Sequence, residues 1–423
     1  MKNKLIIDAV KKSWVLYPED SGFTIQNLPL GVFTDQTQQA RVCSRIGDRI
    51  IDLYGLSCAG LLKAEGCTSD IFLNKNLNPL LALGKETLRN LRAALANLLD
   101  ENTSADIRKK MEPHLIQVDQ VRMLLPVKAP NYTDFYSSRE HAYNVGVMFR
   151  DPKNALLPNW LHMPIGYHGR ASSIVVSGTD IIRPSGQMQL AEGEAPVYGP
   201  SRQLDFELEM AFVVGKANPM GEPVPVNVAE EHIHGILIFN DWSARDLQKW
   251  EYVPLGPFLG KNFASSVSPW LVDLDALESF KVYGPEPEKP LLDYLQTTGP
   301  CNYNIVLEVY LITPNGEENL ISRSNMKYLY WSMAQQLAHH TVNGCNMEIG
   351  DICASGTISG TSPDSYGSML ELAWKGTQPL RLKDGSERTF VRDGDTVIMR
   401  AYAQNESYRI GFGEVSGRLL PAT

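Results

Sequence analysis

Asp205-Phe206-Glu207-Leu208-Glu209, continued by Met210-Ala211-Phe212-Val213-Val214, alternates acidic and apolar side chains and then turns wholly apolar. In an extended strand successive side chains point to opposite faces. Asp205, Glu207 and Glu209 then share one face, and Phe206, Leu208, Met210 and Phe212 share the other. The apolar face predicts a strand seated on a core, which holds the acids in a rigid row. Carboxylates about 7 Å apart along a strand repel, more strongly where water is partly excluded. A divalent cation with oxygen ligands would relieve that repulsion. A solvated edge strand that uses charge against aggregation would show the same pattern. At the level of this stretch both readings stand.

Around it lies a chain of 423 residues, 43% hydrophobic and 21% charged, the composition of an ordinary globular protein with material for a large core. The length predicts more than one domain. A formal net charge of −9 argues against a nucleic-acid or anionic-membrane surface. The six cysteines have no CxxC spacing, so they read as reduced thiols, neither a disulfide frame nor a zinc site. The start, Met1-Lys2-Asn3-Lys4-Leu5-Ile6-Ile7-Asp8, is too quickly broken by charge for a secretory segment. No apolar run approaches the roughly 18 residues of a membrane span. The expectation is a cytoplasmic protein with neither membrane nor nucleic-acid partners.

Short alternating segments such as Ile46 to Leu53 predict a small β module at the start of the chain. Leu88, Leu91, Leu95, Leu98 and Leu99 recur at helical spacing and predict one amphipathic helix. Thr103-Ser104-Ala105-Asp106 opens a second, short one, and Val121 to Val127 read as a strand. A boundary falls near residue 126, giving domains 1–126 and 127–423. Beyond it the pattern is mostly strands and long loops: 173–177, 205–214, 235–240, 304–313, 351–354 and 395–402, with one clear helix at 331–342. The fold class is mainly β with some α.

Two more acids stand near strand ends, Asp134 in Tyr132-Thr133-Asp134-Phe135-Tyr136 and Asp241 after Ile236-Leu237-Ile238-Phe239-Asn240. Either can point into a pocket or cap a turn. Downstream of Asp241, the side chains of Arg245, Gln248 and Lys261 are donors able to face a developing oxyanion, or ordinary surface ion-pair partners. Lys261 sits in the otherwise uncharged stretch 253–270, where a lone ammonium needs a buried counter-charge. His141 follows Asp134 closely and is suited to general-base work near neutral pH, although a lone histidine is more often structural. His232 and His234 alternate on a predicted strand, and His339 and His340 lie on the predicted helix; all four read as structural. No nucleophile elbow, phosphate loop or dinucleotide fingerprint is present.

Four segments together, Asp134 to Ala142, Asp205 to Glu209, Phe239 to Asp246 and Ala354-Ser355-Gly356-Thr357-Ile358-Ser359-Gly360, resemble the fumarylacetoacetate hydrolase family from about Trp14 to near the C-terminus. The resemblance implies an SH3-like N-terminal barrel, a C-terminal mixed β-roll and a homodimer. It implies metal-dependent hydrolysis of the carbon–carbon bond of 4-fumarylacetoacetate, a small diketo acid, to fumarate and acetoacetate, the last step of tyrosine breakdown. Asp134, Glu207, Glu209 and Asp241 match the metal ligands, for Ca2+ or Mg2+. Asp205 does not, which removes one acid from the row. His141 matches the general base, Glu371 its orienting partner, and Arg245, Gln248 and Lys261 the oxyanion donors. Tyr136, Arg150, Tyr167, Tyr252 and Thr357 match positions that contact substrate. Ser265 stands where the family commonly carries threonine. Competing expectations are another diketo-acid hydrolase or decarboxylase of the same superfamily, and a non-catalytic cation-binding scaffold.

Overall fold

The computed structural model describes residues 4–423, so the basic start Met1-Lys2-Asn3 lies outside the described residues. The N-terminal part is built on a five-stranded antiparallel sheet in the order Leu115–Gln117, Arg49–Asp52, Arg41–Ile46, Leu30–Thr34, Arg122–Met123. Gly47 takes φ +56° in the two-residue turn between Arg41–Ile46 and Arg49–Asp52, where a hairpin matching the strand twist needs a positive φ. Strand Leu30–Thr34 is buried along its whole length because Val32 and Phe33 face two different apolar clusters. This sheet accords with the SH3-like module expected.

The leucine stripe forms helix Lys85–Leu98, burying Leu88, Leu91 and Leu95. Ser104 caps helix Ala105–Met111 by accepting from the Ile107 N–H. The run Val121 to Val127 is not a full strand: only Arg122–Met123 pairs. Beyond it the Pro126 carbonyl accepts from the Leu77 N–H, and Val127 is buried in the core.

The C-terminal part centres on a mixed sheet. Its main order is Gly166–His168, Tyr132–Phe135, Ile352–Ala354, Leu208–Val214, Ile233–Asp241, Ser265–Val267, Ile174–Val176. A second sheet runs Glu318–Asn325, Val306–Ile312, Thr396–Gln404, Arg409–Leu420, Ile181–Ile182. Leu208, Met210 and Phe212 of the first sheet share one apolar cluster with Leu307, Val309, Val397 and Phe412 of the second. The opposite face of the first sheet, through Ala211, Leu237, Phe239 and Ala354, shares a cluster with Val32, Leu88, Leu91 and Leu95 of the N-terminal part. The central sheet is therefore covered on both sides, which is why its strands read as near-continuous apolar runs.

Strand 205–214 is a correction. Leu204–Asp205 pairs with Ser243–Ala244, and a separate strand Leu208–Val214 enters the main sheet. The break follows from Asp205, whose carboxylate accepts from the backbone N–H groups of Phe206, Met369 and Leu370. The solvated-edge reading fails too, because Leu208–Val214 lies between two partners and Glu207 and Glu209 are buried. His232 ends a short helix, Ala229–His232, and only His234 lies on the strand. Helices Arg139–Phe149 and Arg245–Glu251 were not anticipated.

Phe239 is fully buried in the apolar cluster that the two parts share, its ring 5.2 Å from that of Tyr132 within the C-terminal part. Phe239→Ala is expected to lower the unfolding free energy by about 3–5 kcal/mol, read from the urea midpoint. A loss below about 1 kcal/mol would mean that the two parts do not share a core there.

Candidate active site and metal centre

One face of the central sheet changes character along its length. Its upper rows, Tyr132, Ala211, Ala354, Leu237 and Phe239, meet the N-terminal core. Two residues further along the same strands the face turns acidic. Asp134 follows Tyr132, Glu209 precedes Ala211, and Asp241 follows Phe239 as the last residue of its strand. Register aligns them: Asp134 opposes Ala354, Ala354 opposes Ala211, and Glu209 opposes Phe239. Glu207, just before its strand, joins them. One oxygen from each of Asp134, Glu207, Glu209 and Asp241 lies within 4.8 Å of the others, and all four residues are buried.

Neighbouring donors engage part of this charge. Lys261 Nζ donates to Glu207 Oε2 at 2.5 Å and to Asp241 Oδ2 at 2.7 Å, the buried counter-charge its apolar stretch required. Arg245 Nη1 lies 2.7 Å from Glu207 Oε1, while its Nε donates to Asp205 Oδ2 at 2.8 Å. Asp205 thus anchors Arg245 and stands outside the acidic quartet. Asp241 also accepts from the Tyr167 hydroxyl at 3.0 Å and from Ser265 Oγ at 2.9 Å. The serine hydroxyl supplies the bond, so lack of a threonine methyl leaves it intact. Glu209 Oε2 accepts from the Gly356 N–H at 2.9 Å. Gly356 holds φ +77°, and a Cβ there would fall 2.3 Å from the Phe135 carbonyl oxygen, so only glycine fits.

Among the described residues, two buried acceptors of this quartet remain without a hydrogen-bond partner, Asp134 Oδ1 and Glu209 Oε1. Burial pushes the Asp134 carboxyl well above its usual range, and repulsion from Asp241 adds to it. Glu209 is raised in the same way, by burial and then by Asp134 and Glu207. Burial would also raise Glu207, but Lys261 and Arg245 outweigh it and hold that group low. Orphaned buried oxygens in an all-carboxylate donor set fit a hard divalent cation. The absence of a histidine or cysteine among the four does not suit zinc.

The sign of the pH effect follows. Below the unfolded carboxyl values, near 4, Asp134 and Glu209 are protonated in both states. Above them the unfolded chain releases protons that the cation-free native site retains, so native stability falls as pH rises. A bound cation favours the ionised form and removes this penalty. The gap in Tm between cation-supplied and chelator-treated protein is therefore expected to widen from pH 5 to pH 8. Cation at about 100 times its Kd contributes roughly 2.7 kcal/mol. A gap that narrows with pH would show that these acids are not the ligands.

A second group lies beside the quartet. Ser138 starts helix Arg139–Phe149, which carries His141 and Asn144 on its buried side. His141 Nδ1 lies 2.7 Å from Glu371 Oε2. Glu371 is fully enclosed and also accepts from Asn144 Nδ2, Ser359 Oγ and Ser368 Oγ, each at 2.9 Å. Burial pushes its carboxyl up, but the charge and hydrogen bond of His141, with hydrogen bonds from Asn144 and Ser359, bring it below the usual value. The Tyr136 ring stands edge-on to His141 at 5.3 Å. Gln248 Oε1 accepts from Arg245 Nη1 at 3.2 Å, one turn along helix Arg245–Glu251. Two buried donors beside this cluster have no partner among the described residues, Arg245 Nη2 and Thr357 Oγ1.

Arg150 and Tyr252 stand outside this network. Arg150 is exposed at the C-terminal end of its helix and donates to the Ala155 carbonyl at 2.7 Å. Tyr252 caps helix Arg245–Glu251 and is 52% exposed. Asn144, Ser359 and Ser368 were not singled out from the sequence. The spacing Ser368-x-x-Glu371 is a helix-start signature that leads to this cluster. The Glu371 side chain, however, turns to His141.

The residues match two family models, "Fumarylacetoacetase N-terminal" over 26–126 and "Fumarylacetoacetate (FAA) hydrolase C-terminal" over 131–419. The chain is 50% identical over 415 residues to fumarylacetoacetase of Bos taurus, covering 97% of this chain and 99% of that one. It is 48% identical over 424 residues to the Arabidopsis thaliana enzyme, covering 98% and 99%. Among solved structures it resembles a fumarylacetoacetate hydrolase from Exiguobacterium antarcticum, with TM-score 0.51 at 18% identity over 93% of this chain and 99% of that one. It also resembles maleylpyruvate hydrolase from Sphingobium, with TM-score 0.51 at 15% identity over 93% and 100%. At those identities the structural matches show a shared fold alone. With both family models matched along most of its length and relatives near half-identical end to end, the chain belongs to the fumarylacetoacetase family.

Proposed function

We propose that the protein is a cation-dependent hydrolase that splits the carbon–carbon bond of 4-fumarylacetoacetate, releasing fumarate and acetoacetate. The observation that carries this reading is the adjacency of the carboxylate quartet and the His141–Glu371 pair: Glu207 of the quartet forms a β-bridge with Ser368, whose hydroxyl donates to Glu371. A Ca2+ or Mg2+ ion held by Asp134, Glu207, Glu209 and Asp241 would supply Lewis-acid polarisation of a diketo oxygen.

The remaining work falls to the chain itself. His141, with Glu371 on its Nδ1 side, takes a proton from water at Nε2, and the hydroxide oxygen bonds to the carbonyl carbon. As the carbon–carbon bond breaks, its electron pair moves onto the departing fragment and delocalises into that fragment's own carbonyl. His141 then returns the proton, so atoms and charge balance. Arg245 Nη2 is a buried donor with no partner among the described residues, suited to the oxygen on which charge develops. Gln248 and Lys261 hold the same charge-stabilising side of the site. Tyr136, Tyr167 and Thr357 shape the pocket, and Arg150 and Tyr252 at its rim meet a terminal carboxylate of the substrate.

The same reading includes a division at residues 126 and 127, supported by where the two family-model matches end and begin. It includes a cytoplasmic homodimer with no nucleic-acid or membrane partner. Exposed apolar side chains beyond helix Arg245–Glu251, with Val253 at 68%, Leu255 at 96% and Phe258 at 67%, support a covering second copy. Among the described residues no helix is long and apolar enough to cross a membrane. The test is an absorbance assay with 4-fumarylacetoacetate beside a panel of acylpyruvates. The expected result is kcat/KM highest for fumarylacetoacetate; preference for an acylpyruvate would move the protein to a sister activity.

A further inference from the structure

We infer that Asn144, Ser359 and Ser368 are positioning residues that fix which nitrogen of His141 carries the proton, a role that rests on the base function proposed above. A count of protons at Glu371 carries the inference. A hydroxyl has one proton to donate, and an amide nitrogen only donates. Ser359 Oγ accepts the Gly367 N–H at 2.9 Å, so its single proton is directed to Glu371 Oε2. Ser368 Oγ accepts the Glu371 N–H at 3.3 Å as the cap of helix Met369–Leu372, and its proton likewise goes to Oε2. Asn144 Nδ2 donates to Oε1.

Three donated protons already reach the carboxylate, which is sealed from solvent. Hydrogen bonds to a carboxylate favour its ionised form, so these three donors make Glu371 the acceptor and the contact with His141 a donation from Nδ1. The proton stands on Nδ1, and Nε2 keeps the lone pair that attacks water's proton. Asn144 adds a mechanical link. It lies three residues after His141 on one helix and on the same side, so the helix grips both the imidazole and the carboxylate that orients it. Without Asn144 the carboxylate is tied to the imidazole by a single bond and to its own loops by the serines.

The test uses the full-length protein with 15N-labelled histidine, read by NMR without substrate, alongside steady-state kinetics. In the wild type the neutral His141 ring is expected to show a protonated Nδ1 and a bare Nε2. Asn144→Ala and, independently, Ser359→Ala are each expected to let the other tautomer appear. Each should lower kcat about 10- to 100-fold, the weight of one hydrogen bond to a charged group, with KM within about twofold. A wild-type ring protonated at Nε2 overturns the inference, as does a fall in kcat with the ring state unchanged in both variants. The ring measurement needs no turnover. Failure to hydrolyse any diketone would sink the proposed function, while the ring measurement would still decide whether these residues fix the protonated nitrogen.

Discussion

Replacing His141 with alanine is expected to lower kcat by about 10²–10⁴-fold while divalent-ion binding stays at its wild-type value. The separation follows from geometry. His141 is hydrogen-bonded to Glu371 and packed against Tyr136, and none of the four clustered acids is among its hydrogen-bond partners. On the proposed reading, removing the imidazole takes away the base without altering the four clustered carboxylates. Calorimetric titration of Ca2+ or Mg2+ supplies the control. Wild-type turnover by the alanine variant at saturating substrate would contradict the assignment, and a collapse of ion affinity would mean that the two groups are not separable.

Arg245→Met should damage both folding and turnover. The guanidinium is the shared partner of Asp205 and Glu207, both buried, and its loss leaves two enclosed carboxylates with one counter-charge fewer. Breaking a buried pair from one side costs about 3–5 kcal/mol, and losing one oxyanion donor costs about 10²–10³ in kcat. Arg245→Lys should rescue little, since an ammonium cannot reach Asp205, Glu207 and Gln248 from a rigid fork. Urea unfolding and kcat measured on the same preparation check both. A stability loss under about 1 kcal/mol would show that Asp205 and Glu207 do not depend on this residue.

These expectations start from residues that were legible in very different degrees. The apolar half of 205–214 and the stretch 235–241 announce a buried sheet, because strands covered on both faces must be apolar throughout. Lys261 was legible for the opposite reason: a single cation in an uncharged stretch must meet an acid, and it meets two. Helix Arg139–Phe149 was not legible. Its inward side carries His141, Asn144 and Gly146, where an ordinary helix would carry leucines, so polar and small residues on the buried face erase the amphipathic period. Gly146 is pressed so close to Ala155 that a Cβ would sit 2.1 Å from its carbonyl oxygen. Helix Arg245–Glu251 hides in the same way, with Arg245 turned inward. Asp205 misled the reading of its strand because backbone capping and metal ligation ask for the same side chain. Glu371 carried a helix-start spacing with Ser368 but no signal of a link to His141; the family resemblance pointed to that link, and three-dimensional proximity makes it.

Stripping the protein with chelator and returning a divalent ion in measured steps tests the central claim most directly. Bound ion per chain and fumarylacetoacetate turnover are followed together. The account predicts one tightly held ion per chain, turnover rising in proportion to it, and loss of both in Glu209→Gln. Full turnover in protein shown by elemental analysis to hold no divalent ion would contradict it.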